Sequence, residues 1–157
     1  MWGVLEPAVA VANQWIKAEE RQRFCSEGYM VIRNVVPQDL IDRAVHDIAA
    51  FIRADLDDNT TWYGNPPVND GIVPMHHAQS LWDIRQSPNL HAVFTEFWGT
   101  HRLMVDINRC LFRPPRHPER PTVSRGDIHW DTDPRAAGPG SLQSVVLLTD
   151  VHHFGGG

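Results

Sequence analysis

The sequence is short of lysine, of cysteine and of long apolar stretches, and each shortage removes a class of function. Lys17 is its one lysine beside thirteen arginines, and the formal charge is -5. With no basic cluster on which a phosphate backbone could lie, nucleic acid is not an expected partner. The two cysteines, Cys25 and Cys110, are far apart. That usage suits a reducing compartment and buried thiols better than a disulfide framework, and no chemistry is assigned to them. The early apolar stretch Ala8–Ala12 follows Glu6 and Pro7 without a basic flank, so it matches neither a secretion signal nor a membrane span. The expectation is a cytoplasmic protein without a membrane partner. No low-complexity tract or internal repeat interrupts the chain, and its 42% apolar and 21% charged residues place it in the globular class.

The 157 residues suffice for one domain with a real core, so residues 1–157 read as a single unit. Within it, residues 12–99 read as mainly helical and residues 100–157 as strand-forming. A helix is expected from about Ala12 to Glu27, stopped by Gly28, because glycine enters the left-handed cap conformation cheaply. Tyr29–Arg33 reads as a strand. From Pro37 a second helix carries Leu40, Ile41, Ala44, Val45, Ile48, Phe51 and Ile52 at three- and four-residue spacing on one face. Asp57–Val73, rich in Asp, Asn, Thr, Gly and Pro, reads as a loop. It either brings Trp62 and Tyr63 to a pocket or uses Trp62 as its anchor. Short helices follow at Ser80–Arg85 and Pro88–Trp98, the latter stopped by Gly99.

After Gly99 the periodicity changes. Leu103, Val105 and Ile107 alternate with Met104, Asp106 and Asn108, the signature of a strand with two different faces. A proline- and arginine-rich loop, a short segment at Asp127–Asp131, another Gly/Pro loop and an apolar strand at Leu142–Thr149 complete the pattern. The nearly continuous apolar run of that last strand predicts cover on both faces, with Val145 or Val146 buried.

Chemistry concentrates at Ile128-His129-Trp130-Asp131. In an extended segment residues i and i+2 project to one side, so the His129 imidazole and Asp131 carboxylate point together while Trp130 points away. With one distant second histidine, such a pair makes the facial triad of non-haem iron(II) oxygenases, which leaves open positions for cosubstrate and oxygen. A bare His-x-Asp is a weak pattern, and a histidine hydrogen-bonded to a nearby aspartate is the bland alternative.

Several stretches in order resemble the phytanoyl-CoA dioxygenase family. Phe24-Cys25-Ser26-Glu27-Gly28-Tyr29-Met30-Val31-Ile32-Arg33 is similar to that family's opening pattern, and the next helix begins near Pro37. Leu81-Trp82-Asp83-Ile84-Arg85, Pro88 and the helix ending at Gly99 resemble its middle section. His129-Trp130-Asp131 matches its iron-binding strand, and Leu142–Asp150 with Gly155-Gly156-Gly157 resembles the next strand and its turn.

The resemblance implies an α+β fold: a double-stranded β-helix, or cupin-like jelly roll, with N-terminal helices. It implies Fe(II) bound by His129 and Asp131, 2-oxoglutarate as cosubstrate, molecular oxygen as co-reactant and a small-molecule or acyl substrate that is hydroxylated. The sequence departs from the family pattern in one respect. Only about four strands are visible, and the family's later strands hold the second iron-binding histidine and the arginine that anchors 2-oxoglutarate. The barrel is therefore expected to be incomplete in this chain, with open strand edges that invite self-association.

Asn108 and Arg109, before the iron strand, and Gln143, after it, could reach cosubstrate or substrate. A surface ion pair is the alternative for Arg109. His76 and His77 precede a short helix, where at most one could face a substrate, and His152 and His153 read as turn residues. A zinc-dependent hydrolase also fits a His/Asp pair. However, the chain has no His-x-His and no helical His pair with an intervening Glu to complete such a site. A catalytically inactive or truncated jelly roll acting as a binding module is the alternative from another class.

Overall fold

The computed structural model describes residues 15–63, 71–106, 109–115, 118–119, 133, 135 and 142–151. Its regular elements are α1 (Ala18–Glu27), α2 (Gln38–Ile52), a 3-10 turn (Asn59–Tyr63), β1 (Ile72–Val73), α3 (Gln79–Arg85), α4 (Pro88–Trp98) and β2 (Cys110–Leu111). The chain divides into two compact units. One takes Met1–Ala44 and His77–Asn108, and the other Val45–His76 and Arg109–Gly157, so the boundary falls inside α2. No helix among the described residues is long and apolar enough to cross a membrane.

Local chemistry explains the helix ends. The Glu20 carboxylate accepts the Lys17 backbone N–H at 2.8 Å, using one of the donors that the first turn of α1 leaves unpaired. At the other end Gly28 takes φ 79° and donates to the Phe24 carbonyl at 2.9 Å. Pro88 opens α4, where its missing N–H costs nothing, and Gly99 closes it at φ 67°. The C-terminus of α2 has no glycine. Arg53 itself adopts φ 58°, and Ala54 N–H reaches back to the Ala49 carbonyl at 2.9 Å, a Schellman-type closure. A side chain pays about 1–2 kcal/mol in that conformation. Arg53→Gly is therefore expected to raise stability by about 0.5–1 kcal/mol, after the extra freedom glycine has in the unfolded chain is subtracted. Urea titration checks this, and an unchanged or lower midpoint would mean that the Arg53 side chain contributes more than its strain.

In the first unit the core is Ile16, Val35 and Val93, with Trp15, Met30, Ile32, Leu90 and Phe97 packed on it. Phe24 of α1 meets Phe97 of α4 edge to face, with ring centroids 5.1 Å apart. Asn89 donates its side-chain amide to the Val35 carbonyl at 3.0 Å, holding the turn before α2 against α4. α1 itself buries no residue, so Cys25 lies exposed on it, against the expectation of a buried thiol; Cys110 is buried, and both are free.

In the second unit β1 and β2 pair antiparallel, with Ile72 opposite Leu111 and Val73 opposite Cys110. Val73, Met75 and Cys110 are buried there, as are Ile48, Ala49 and Ile52 of α2. Phe51 is 50% exposed, because the covered stripe of α2 runs through Ala49 instead. Gly71 sits at φ 84°, where a Cβ would come within 2.9 Å of both the Phe112 carbonyl oxygen and the Arg113 side chain. Glycine is required there both for its backbone conformation and for the close approach.

Three expected strands come out differently. At residues 29–33 Met30 and Ile32 pack on the core while Tyr29 and Val31 stand 59% and 58% exposed, but the segment has no strand partner among the described residues. Of the strand whose alternation begins at Leu103, expected to run over residues 102–112, only Cys110–Leu111 is a strand among the described residues. Residues 142–149 form no strand, and neither proposed anchor is buried: Val145 is 74% exposed and Val146 half-buried. In each case the side-chain pattern, alternating or continuously apolar, is a local property, whereas a ladder needs a second backbone to bond to. Among the described residues the ladder is two-stranded, and the jelly roll remains a proposal.

Candidate functional site

His129, Asp131 and Asn108 lie outside the described residues, as do His152 and His153. Arg109 and Gln143 are described, and both are exposed. Arg109 stands directly before β2, and Gln143 lies in 142–149. His76 and His77 are both exposed in the turn before α3, where each has an interaction partner. Among the described residues no group of three or more His, Cys, Asp or Glu side chains could hold a metal ion.

What the described residues do build is the frame from which the proline- and arginine-rich loop departs. β2 pairs with β1, and beyond it the Phe112 N–H donates to the Gly71 carbonyl at 2.9 Å. The Tyr63 hydroxyl donates to the Pro115 carbonyl at 2.9 Å, and Trp62 meets Phe112 edge to face at 6.1 Å. Residues 110–115 are thus tied to residues 62–63 and 71–73 by backbone, hydroxyl and ring contacts within one unit. The Trp62 indole N–H donates to the Asp55 carbonyl at 2.7 Å, so the tryptophan anchors its loop as one of the two sequence readings had it.

Residues 55–61, at the start of that loop, are held by aspartate and threonine turns. Asp55 N–H donates to the Thr61 hydroxyl at 2.8 Å, and the Thr61 hydroxyl is 2.7 Å from the Asp58 carbonyl. Asp58 accepts from the Thr60 hydroxyl at 2.7 Å and from the Thr60 N–H at 3.0 Å. Those two bonds, the hydroxyl first, hold the Asp58 carboxyl below its usual value. The sign follows: their contribution is present above the unfolded carboxylate value and is lost as the pH falls through the folded one.

Sequence reading missed a buried carboxylate of the first unit. Glu96, in α4, is 6% exposed and accepts the backbone N–H groups of Trp15 at 3.0 Å and Ile16 at 2.9 Å. The Arg21 guanidinium donates to the Glu96 backbone carbonyl at 3.0 Å. The available signal was a lone glutamate inside the apolar turn Phe94–Trp98, but its partners lie some 80 residues away in sequence and no local pattern names them. A second buried charge, Arg85, stacks its guanidinium 4.9 Å from the Trp82 ring centroid, one helical turn away.

No family model matches the chain, and no solved structure matches it. A protein of Dictyostelium discoideum named "Putative phytanoyl-CoA dioxygenase" is 28% identical over 122 residues, which cover 68% of this chain and 34% of that protein. The chain spans about a third of the length of the curated relative that it matches.

Proposed function

We propose that this chain carries the N-terminal portion of an iron(II)/2-oxoglutarate-dependent oxygenase of the phytanoyl-CoA dioxygenase family, built on a jelly roll. The observation that carries the proposal is its 28% identity, over two thirds of its length, to a protein bearing that family's name. The His129-x-Asp131 pair supplies the chemistry that the name requires. Imidazole and carboxylate are the donor types of a facial triad, and on an extended backbone their i, i+2 spacing turns both to one side, so the donor set fits iron(II).

In this reading His129 and Asp131 hold the metal. When bound, iron and 2-oxoglutarate supply oxygen activation coupled to decarboxylation of the cosubstrate, with hydroxylation of a small-molecule or acyl substrate as the outcome. The chain contributes the ligands and their orientation. Asn108, Arg109 and Gln143 are proposed to contact cosubstrate or substrate. Arg109 and Gln143 are open to solvent, as contact with an incoming ligand requires.

Two protein ligands leave the metal largely hydrated, and the bidentate grip of an arginine on the cosubstrate carboxylate is hard for water to replace. The 157-residue chain is therefore expected to bind iron(II) weakly and to convert 2-oxoglutarate slowly or not at all. The experiment is the anaerobic visible spectrum of the chain with iron(II) and 2-oxoglutarate, alongside succinate formation in air. A weak charge-transfer band is expected that zinc does not produce. Absence of any band at saturating iron and cosubstrate would remove the oxygenase reading. Robust succinate formation, abolished by His129→Ala or Asp131→Ala, would show that the chain completes its own site, with His152 or His153 as the leading third ligand.

Self-association is proposed as well. An incomplete jelly roll leaves strand edges open where the barrel should close, and an unpaired edge offers backbone donors and acceptors to another chain. Sedimentation velocity over a hundredfold range of concentration is expected to show dimers or larger species. A single monomer boundary throughout would mean that the edge is protected.

A further inference from the structure

We draw no further inference here: the strongest candidate, the half-exposed aromatic face that Trp62 and Phe112 form beside the two-stranded ladder, carries nothing because nothing among the described residues shows what covers it.

Discussion

Replacing Glu96 by alanine is expected to cost about 2–4 kcal/mol of stability, since a buried backbone donor left without its acceptor costs about 1–3 kcal/mol and the carboxylate serves two of them. The reason lies in what stays behind. The Glu96 carboxylate accepts two successive backbone N–H groups, and Ile16, whose amide is one of them, is 1% exposed at the centre of the first unit's core. Without the carboxylate the buried Ile16 amide and the part-buried Trp15 amide lose their acceptor, or the strap carrying Trp15 and Ile16 leaves the core and takes its apolar burial with it. Against a typical total of about 5–15 kcal/mol, either outcome removes a large fraction of the stability.

Glu96→Gln separates the two contributions. It retains one acceptor oxygen and the side-chain volume but turns charge-assisted bonds into neutral ones, so a smaller loss of about 1–2 kcal/mol is expected. Urea unfolding gives the totals, and hydrogen exchange at the Ile16 amide gives the local reading. A loss below about 1 kcal/mol for the alanine variant, with the Ile16 amide still protected, would show that water or another acceptor takes the place of the carboxylate.

Replacing His129 or Asp131 by alanine is expected to weaken divalent-metal binding by at least about tenfold, since removing groups that merely orient ligands already costs 10–100-fold. The two substitutions should act alike, because with so few protein donors the loss of either leaves a single ligand that cannot chelate. Cobalt(II) serves as a probe: it takes the same imidazole and carboxylate donors, and its visible bands report the ligand field without any need for turnover. The double variant His152→Ala/His153→Ala is expected to bind as the parent does, since those residues read as part of a turn. Equal affinity in all variants would mean that the metal sits elsewhere. A loss confined to the double variant would move the site to the glycine-rich end of the chain.

The helix stops were legible in the sequence because their determinants are local, whereas the start of α1 was not: expected near Ala12, it lies at Ala18, with Trp15–Lys17 outside the helix. The stops at Gly28 and Gly99 and the start at Pro88 act within one turn, and each lies where the punctuation put it. The stripe on α2 was legible as a face but not to the residue: Ala49 is buried and Phe51 exposed, a shift that depends on what packs against the helix. The αL turn at Arg53 could not be read, because arginine does not announce that conformation and it persists only where the surroundings enforce it.

Strands divide into two properties with different origins. Alternation is written in the chain, and it is present as alternating burial at Tyr29–Arg33, where Met30 and Ile32 pack inward while Tyr29 and Val31 do not. Pairing is not written there, because every ladder bond belongs half to a distant segment, and only Ile72–Val73 with Cys110–Leu111 acquires one among the described residues. The His129-x-Asp131 pair is a pattern the sequence supplies by itself, while the placement of the two side chains lies outside the described residues. Glu96 is the opposite case. Nothing near it in the chain distinguishes it from a solvated glutamate on a helix, and only folding brings to it the two amide protons from some 80 residues away that turn a buried charge into a fastening.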